Sequence, residues 1–443
     1  MLRLSKGALW AIKRLDDSGY EAYAVGGAIR DLLMGREAND FDITTSATPE
    51  QMKAVFSGER VIETGIKHGT LTVLYEGEPL EITTYRKDGE YDDNRHPRSV
   101  EFTSALEDDL SRRDFTINAL AYNPISDTLV DLFGGQEDIK DKVIRAIGEP
   151  KRRFTEDALR ILRGARFSSQ LDFEIEPKTK RAMLECAPLL ENISRERIAI
   201  ELNKLLCGKN AKNAIIDNYE LLALIIPEIG MMHGFDQKND WHIYDILTHT
   251  ALVVENTPPI THLRLVALLH DIGKVHTFTI DANGVGHFYG HGIVSAERAR
   301  EFFTEYKYDS DTKSKCVKLI ARHDNYIEED RVYIKKRLNR MGKDAFFDLL
   351  AIQRADNLAQ NPKKTKMPHF DIVEQIANEI LAENACFSLK DLAIDGEDLI
   401  ENGFKAGKQL GEILDFLLNE VIEERAENTK RVLLRIAKAK FGG

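Results

Sequence analysis

The sequence predicts an α+β fold class: a small mixed head at the N-terminus, followed by an elongated all-α body. Residues 70–74 and 80–85 are short runs rich in β-branched residues, and helix-like segments alternate with such runs up to about residue 140. From about residue 141 the apolar residues recur at helical spacing, and prolines punctuate the pattern. The 443 residues suffice for about three domains, each with its own core.

Composition narrows the class of protein. No apolar run approaches the roughly 20 residues of a membrane span, and the N-terminus lacks the apolar core of a signal peptide, so we expect a cytoplasmic protein. Cys186, Cys207, Cys316 and Cys386 show no paired spacing, which favours reduced thiols. The net charge of -12 argues against indiscriminate nucleic-acid binding, and DNA is not an expected partner. Residues 151–212 contain 14 Lys or Arg against 9 Asp or Glu, which leaves room for a local RNA-binding surface.

Two glycines and two aspartates near the N-terminus form the first candidate site. Residues 22–25 predict a buried strand that ends at Gly26 and Gly27, and a helix-like segment follows. Glycines in such a turn let backbone N–H groups approach a phosphate. Asp40 and Asp42 alternate on a second predicted strand and should share one face. Two carboxylates beside a phosphate-binding turn indicate Mg²⁺-dependent phosphoryl transfer; either feature alone is also typical of a solvated loop.

Glu81 and the segment 112–119 add polar groups to the head. Glu81 lies in a predicted strand and is a candidate third metal-facing carboxylate, with an exposed strand residue as the alternative. Arg113 supplies a forked, permanently charged donor that suits a triphosphate. Asp114 and Asn118 are one helical turn apart, so they can face a ribose or hold the start of a helix.

The segment around residue 157 combines charge with helical spacing. We expect Thr155 to cap a helix, with Glu156 and Asp157 in its first turn. Asp157 and Arg160 should then share a face, as they would in an ordinary surface ion pair. Beside a nucleotide, a carboxylate accepts from an exocyclic amino group and a guanidinium donates to a ring nitrogen. Cytosine and adenine present that pattern, whereas guanine and uracil reverse it and would leave buried polar groups unpaired.

Histidine and aspartate residues in the helical body are candidate metal ligands. Imidazole and carboxylate together suit a divalent transition metal or Mg²⁺. A His-Asp pair in an apolar helix buries both groups, which is costly unless they bind something. Scattered core histidines are the alternative. The residues are His249, His270, Asp271, His291, His323 and Asp356.

Residues 22–205 resemble the bacterial class II tRNA nucleotidyltransferases, which comprise the CCA-adding enzymes and their poly(A) polymerase relatives. The resemblance rests on the motifs above and on a hinge-like segment at 131–135. It implies a polymerase-β-like head in which Asp40 and Asp42 hold Mg²⁺ and Arg113 contacts the triphosphate. It also implies that Asp157 and Arg160 act as a template for C and A, oriented by Glu156. The predicted nucleotide-binding residues are Gly26, Gly27, Arg30, Arg113, Asp114, Asn118, Glu156, Asp157, Arg160 and Arg163.

Two further segments resemble parts of known families. Residues 86–102 are similar to the flexible loop that class II enzymes use to add the final A. Residues 240–360 resemble the HD phosphohydrolase superfamily. That resemblance implies one divalent metal (Mg, Mn, Ni or Fe) on His249, His270, Asp271 and Asp356, with His291 and His323 as candidate ligands of a second metal.

The predicted domains are a nucleotidyltransferase head (1–140), a helical neck for base selection and RNA binding (141–239), an HD domain (240–361) and a helical tail that binds tRNA (362–443). The predicted function is template-independent addition of CCA to tRNA from CTP and ATP, with phosphohydrolase activity in the HD domain. The expected partner is the acceptor arm and elbow of tRNA. One alternative is an enzyme that adds only A or builds poly(A). The other is a phosphohydrolase whose head only binds RNA.

Overall fold

The computed structural model of the chain describes residues 2–38, 40–89, 100–383 and 385–442. It divides into two compact units. The first is Met1–Gly230 with Glu305–Lys307, and the second is Met231–Thr304 with Tyr308–Gly443. The helical segments of the described chain include no helix that is both long enough and apolar enough to cross a membrane.

The strands occur mainly in the first 145 residues, as the sequence predicts. In chain order they are β1 (Ala22–Val25), β2 (Asp42–Thr45), β3 (Arg60–Ile62), β4 (Thr70–Tyr75), β5 (Glu78–Thr84), β6 (Arg86–Asp88), β7 (Val100–Phe102), β8 (Leu120–Asn123), β9 (Thr128–Asp131), β10 (Val143–Ile144), β11 (Glu174–Ile175), β12 (Thr279–Ile280) and β13 (Gly286–His287).

The helices are α1 (Lys6–Asp16), α2 (Gly27–Leu33), α3 (Pro49–Val55), α4 (Leu106–Ser111), α5 (Gly135–Asp141), α6 (Pro150–Glu156), α7 (Leu159–Leu171), α8 (Pro177–Cys186), α9 (Arg195–Leu206), α10 (Ala211–Asp217), α11 (Tyr219–Leu222), α12 (Pro227–Met232), α13 (Ile246–Asn256), α14 (Thr261–Leu269), α15 (Lys274–Thr277), α16 (His291–Glu305), α17 (Ser310–Ile320), α18 (Arg331–Met341), α19 (Lys343–Leu358), α20 (Met367–Ala382), α21 (Gly396–Glu401), α22 (Lys408–Ile422) and α23 (Lys430–Phe441). Short 3₁₀ turns cover Ile66–His68, Thr116–Asn118, Ala187–Asn192 and Leu389–Asp391.

A mixed sheet forms the base of the first unit. Within the described residues its strand order is β3-β4-β5-β2-β1-β8-β9. β2 runs antiparallel to β1 and parallel to β5, and this register sets Asp42 beside Glu81. Apolar side chains such as Ile12 of α1, Ile43 and Ile82 are buried against the sheet. The sheet therefore presents the ends of β1, β2 and β5 together at one edge.

Two expectations about the head need correction. Asp40 precedes β2, which begins at Asp42, so the two aspartates do not alternate on one strand. Residues 86–102, expected to be a loop, include β6 paired antiparallel with β7, and α4 follows them. The high charge of this segment is compatible with strands because both faces of a two-stranded ribbon can meet water. The central part of the predicted flexible loop, residues 90–99, lies outside the described residues.

The helix predicted to start at Thr155 is also divided differently. Pro150 begins α6 upstream, because proline is preorganised for the first turn of a helix. Thr155 lies inside α6, where its hydroxyl donates to the Lys151 carbonyl at 2.8 Å. Asp157 is extended (φ -138°, ψ 103°), and α7 starts at Leu159. The predicted cap is therefore wrong, and Asp157 occupies a break between two helices.

The second unit is helical apart from the short pair β12 and β13 in its described part. α14 is apolar on nearly every side and is packed by α13, α17 and α19. A separate apolar core, which includes Leu399, Ile413 and Leu433, joins α21, α22 and α23. The centre of this unit is consequently a group of helices whose polar residues, where present, must find partners inside it.

Candidate active site

A cavity of about 550 Å³ opens in the first unit between the sheet edge and helices α7 and α9. Nine of the ten predicted nucleotide-binding residues line it; the exception is Glu156. The lining residues are Gly26, Gly27, Arg30, Asp42, Arg112, Arg113, Asp114, Asn118, Asp157, Leu159, Arg160, Arg163, Arg166, Phe167, Gln170, Arg197 and Lys204.

Sequence reasoning missed several lining residues that lie on α7 and α9. Arg166, Phe167 and Gln170 follow Arg163 at three, four and seven residues, the spacing of one helix face. Arg197 and Lys204 are likewise seven apart on α9. That periodicity was a usable signal, but the sequence does not indicate which face of either helix turns toward the head.

Gly26 makes room for an arginine. Its backbone (φ 76°, ψ -138°) lies in a region that side chains disfavour. A Cβ atom there would sit 3.0 Å from Arg113 Nη1 and 3.9 Å from Asp42 Oδ2. The glycine therefore lets a guanidinium and a carboxylate approach the turn together.

The three predicted acidic residues, Asp40, Asp42 and Glu81, come together only in part. Asp42 lines the cavity, Glu81 is its register neighbour on β5, and Asp40 is exposed just before β2. Burial raises the pKa of Asp42; Arg113 opposes this shift, and the nearby Asp40 and Glu81 add to it. Within the described chain, the groups of three potential ligands whose atoms lie within 4.8 Å of one another do not include this trio.

Asp109 forms an ion pair with Arg113. Asp109 is fully buried and accepts from Arg112 Nη2 at 2.7 Å and from Arg113 Nη2 at 3.4 Å. Burial alone would raise the pKa of Asp109, but the two guanidiniums outweigh it and lower the pKa. This carboxylate therefore fixes Arg113 beside Asp42.

A second buried carboxylate, Asp114, organises the centre of the cavity. It accepts from Asn118 Nδ2 at 3.0 Å and from Arg163 Nε at 2.6 Å, while Asn118 Oδ1 accepts from Arg30 Nη1 at 2.7 Å. Asp114 and Asn118 thus lie in contact, although the 3₁₀ turn covers only Thr116–Asn118 and Asp114 precedes it. Burial would raise the pKa of Asp114, yet the Arg163 charge and the Asn118 amide lower it to about 2.

Arg160 is paired differently from expectation. Its Nη1 donates to Glu156 Oε2 at 3.0 Å and its Nη2 to the Arg112 carbonyl at 2.6 Å. Asp157 instead accepts from the Leu159 N–H at 3.1 Å and faces Arg197. Asp157 and Arg160 therefore do not share a face of one helix as their spacing predicted, because Asp157 lies in the break before α7, and the ion pair of Arg160 is with Glu156. Both still line the same cavity.

The predicted metal ligands of the second unit come together from five parts of the chain. His249 Nε2 lies 2.9 Å from Asp356 Oδ1, and His270 Nε2 lies 3.1 Å from Asp271 Oδ2. The other ring nitrogen of His270 faces the Ala267 carbonyl at 2.7 Å, which directs Nε2 into the cluster. Burial lowers the pKa of His270, but the carboxylates of Asp271 and Asp356 outweigh it and raise the pKa to about 10.

His291 and His323 complete a second group around Asp271. Their Nε2 atoms lie 3.3 and 3.6 Å from Asp271 Oδ1 and 3.1 Å from each other. Asp271 is thus shared by two potential ligand sets. Several atoms here are buried within the described structure without hydrogen-bond geometry to any partner, although they approach at ion-pair distances: His249 Nε2, His270 Nε2 and both Asp271 carboxylate oxygens.

Comparison with known proteins places the chain in a family. Residues 22–145 match the "Poly A polymerase head domain", residues 172–232 the "Probable RNA and SrmB-binding site of polymerase A", and residues 291–437 "tRNA nucleotidyltransferase domain 2". The CCA-adding enzyme of Lactobacillus helveticus is 34% identical over 95% of this chain and 94% of its own length. The chain belongs to the family of CCA-adding enzymes.

Further matches to CCA-adding enzymes differ in extent. The enzyme of Geobacillus thermodenitrificans is 48% identical over 53% of this chain and 56% of that protein. The structure of the Bacillus stearothermophilus CCA-adding enzyme in complex with CTP is similar with a TM-score of 0.72 and 30% identity, and covers 98% of this chain and 96% of that one. The Thermotoga maritima CCA-adding enzyme complexed with tRNA shares the fold at 22% identity (TM-score 0.60, 99% and 96% covered). The predicted family, enzyme class and fold class are confirmed.

Asp114 should give the fold a distinctive dependence on acid. Its pKa in the folded state, about 2, lies below its ordinary 3.8, so its contribution is present above about pH 4 and is lost as the pH falls toward 2. The contribution amounts to about 2 kcal/mol. We expect Asp114→Asn to lower the free energy of unfolding at pH 7 and to flatten its fall below pH 4, measured by denaturant titration at each pH. Asp16→Asn, at an exposed helix end, is the control, and parallel pH profiles for Asp114→Asn and the wild type would contradict this role.

Proposed function

We propose that this CCA-adding enzyme completes the 3′ end of tRNA by adding C, C and A from CTP and ATP without a nucleic-acid template. The supporting observation is a single cavity that brings Asp42 and Arg113 together with Asp157 and Arg160. A catalytic carboxylate, a triphosphate-binding guanidinium and two base-facing groups of opposite charge thus surround one ligand-sized space. The similar Bacillus stearothermophilus enzyme was solved in complex with CTP.

The charge of the cavity suits a nucleoside triphosphate. Its lining contains eight Arg or Lys side chains against three Asp. Arg30 and Arg163 already have acceptors within the protein, so they stiffen the wall. We assign Arg113 to the triphosphate, because Asp109 orients it toward the glycine turn and a guanidinium binds phosphate oxygens in a forked geometry.

Mg²⁺, the divalent metal of this family, fits the end of the cavity at Asp42. The raised pKa of Asp42 reflects burial beside two other carboxylates, an environment that a cation would relieve, and carboxylate oxygens are the ligands that Mg²⁺ prefers. We propose that Asp40 and Asp42 hold the ion and that Glu81 assists them. Bound Mg²⁺ supplies positive charge against the negative charge of the triphosphate and of the attacking hydroxyl.

Base selection is assigned to Asp157 and Arg160. Glu156 and the Arg112 carbonyl fix the Arg160 guanidinium, so Arg160 can donate to a ring nitrogen without searching for a conformation. Asp157 accepts from the amino group that cytosine and adenine share. Uracil or guanine would place a carbonyl against Asp157 and an N–H against Arg160.

The predicted domain boundaries become assignments of role. We assign nucleotidyl transfer to residues 1–140, base selection and RNA binding to 141–239, and binding of the tRNA elbow to 362–443. In the tail, Arg431 and Arg435 of α23 are cations available for phosphate contact. A cytoplasmic location stays a prediction, as does the assignment of residues 240–361 to an HD domain.

Addition of all three nucleotides is tested with tRNA that lacks CCA. We expect incorporation of two C residues with CTP alone, none with ATP alone, and a complete CCA end with both, resolved on a sequencing gel. Asp42→Ala should lower the rate at least 1,000-fold, on the order of the loss of a catalytic metal ligand, while tRNA still binds in a gel shift. Glu50→Gln, an exposed change on α3, is the control. Incorporation of A without C would favour the A-only or poly(A) alternative.

Selection of C and A should weaken when Arg160 is removed. We expect Arg160→Ala to reduce the preference for CTP over UTP and for ATP over GTP by about 100-fold, because a mismatched base no longer strands a buried donor. Arg152→Ala is a matched control, since Arg152 also pairs with Glu156 but is largely exposed. Unchanged preference in Arg160→Ala would show that Arg160 only supports the fold.

We further propose that the second unit is a metal-dependent phosphohydrolase. Buried nitrogen and oxygen atoms that face one another without hydrogen bonds are the observation that favours it, because a divalent cation would satisfy them together. His249, His270, Asp271 and Asp356 would hold one ion, and His291 and His323 a second. A cavity of about 490 Å³ opens onto this cluster, and Lys274 in its wall pairs with Asp271 at 2.7 Å, which places a buried cation beside the proposed ion site.

The metal centre is tested separately from nucleotide addition. In the Asp42→Ala background, which removes the head site, we expect uptake of Mn²⁺ or Ni²⁺ in equilibrium dialysis, and we expect His270→Ala and Asp271→Asn each to lose at least 90% of it, as ligand removal should. In the wild-type background, nucleotide addition should be unchanged by either substitution. His233→Ala, which changes an exposed histidine of the same unit, is the control. Full metal uptake by the variants would contradict the site.

A further inference from the structure

Arg197 has no role in the function proposed above, yet its guanidinium lies against the carboxylate of Asp157. Arg197 Nη2 is 3.6 Å from Asp157 Oδ2. That distance is too long for a hydrogen bond but short for two opposite charges. The side chains are 29% and 22% exposed, so water screens their attraction only in part.

Asp157 needs support from outside its own segment. It occupies the extended break between α6 and α7, where no helix constrains its side chain. The Leu159 N–H anchors one carboxylate oxygen, Oδ1, at 3.1 Å. The other oxygen, Oδ2, faces Arg197 of α9. The orientation of the carboxylate is therefore set by two different elements.

A buried ion pair holds α9 in place one turn further along. Arg166 Nη1 of α7 lies 3.1 Å from Glu201 Oε2 of α9, and both side chains are buried. Glu201 follows Arg197 by four residues, so the two lie on one face of α9. The pair thus fixes how α7 and α9 pack against each other, and in that arrangement Arg197 reaches Asp157.

Asp157 keeps the capacity to read a base while Arg197 is beside it. A carboxylate oxygen can accept two hydrogen bonds, and the long contact to Arg197 leaves Oδ2 open. Arg197 Nη1 is buried without a hydrogen-bond partner in the described structure. A base or sugar that enters the cavity can supply the acceptor that this donor lacks.

We propose that Arg197 is a positioning residue for base selection, which orients the Asp157 carboxylate toward the amino group of the incoming base. This inference rests on the proposed role of Asp157 in reading that amino group. It explains why the Arg197 guanidinium lies against the Asp157 carboxylate and is not among the groups assigned to the triphosphate.

The test compares the preference for CTP over UTP, as a ratio of kcat/KM values, in variants of the full chain. We expect Arg197→Ala and Arg197→Gln each to reduce the ratio about tenfold, since a charge that orients one hydrogen bond is lost, and Arg197→Lys to recover part of it. Arg197→Ala should cause no further loss in an Asp157→Asn background. The control is Arg195→Ala, because Arg195 lies on the same helix and pairs with Glu305 instead.

The outcomes separate this inference from the proposed function. If Asp157→Asn alters the preference and neither Arg197→Ala nor Arg197→Gln does, Arg197 is not a positioning residue and the role of Asp157 stands. If Asp157→Asn leaves the preference unchanged, both fail. Losses that add in the double variant would mean that Arg197 acts on the nucleotide independently. Thermal unfolding of each variant identifies any that lose activity by unfolding, and Arg197→Gln preserves the length and polarity of the side chain for that case.

Discussion

Mutual repulsion among the cations that line one cavity is the constraint on which the first unit depends. Eight Arg or Lys side chains converge there, and like charges at such separations destabilise a fold unless opposite charges lie among them. Buried and half-buried carboxylates provide that compensation. Asp109 holds Arg112 and Arg113, Asp114 holds Arg163, and Glu156 holds Arg160. Each carboxylate removes repulsion and fixes the direction in which a guanidinium points.

This arrangement separates arginines that build the wall from arginines that meet the ligand. Arg163 donates to Asp114 and Arg30 donates to Asn118, so both side chains make the wall of the cavity rigid. Arg113 has a looser contact with its carboxylate and lies beside Asp42 at the glycine turn. A site that must accept C and A in turn has no template strand to define the base. Rigid protein groups must therefore supply the hydrogen-bonding pattern that pairing would otherwise provide.

In the second unit the constraint is the burial of polar groups, not repulsion among cations. Here His249, His270 and Asp271 converge in an apolar helical core, and the side chains carry too few internal hydrogen bonds to justify their burial. His249 lies on α13, and His270 and Asp271 directly follow α14, so that a divalent cation would complete the set. The buried Nε2 atoms of His249 and His270 are thus more informative than the identity of the residues, because each ring is bonded through Nδ1 while Nε2 lacks a hydrogen bond.

The sequence by itself determined the head and helical body, the glycine turn, the family, and which residue types the two candidate sites contain. Short-range spacing carries this information: β-branched runs, prolines and the Asp114 to Asn118 interval are read within a few residues. Predictions from this spacing were wrong where a nearby residue changed the local structure. Pro150, for example, starts α6 early and leaves Asp157 in a break. Only the tertiary structure decided that Arg160 pairs with Glu156, that Arg197 faces Asp157, and that Asp271 is shared by two ligand groups. Those contacts depend on how separate helices pack, and the pairing of distant charges leaves no periodic trace along the chain.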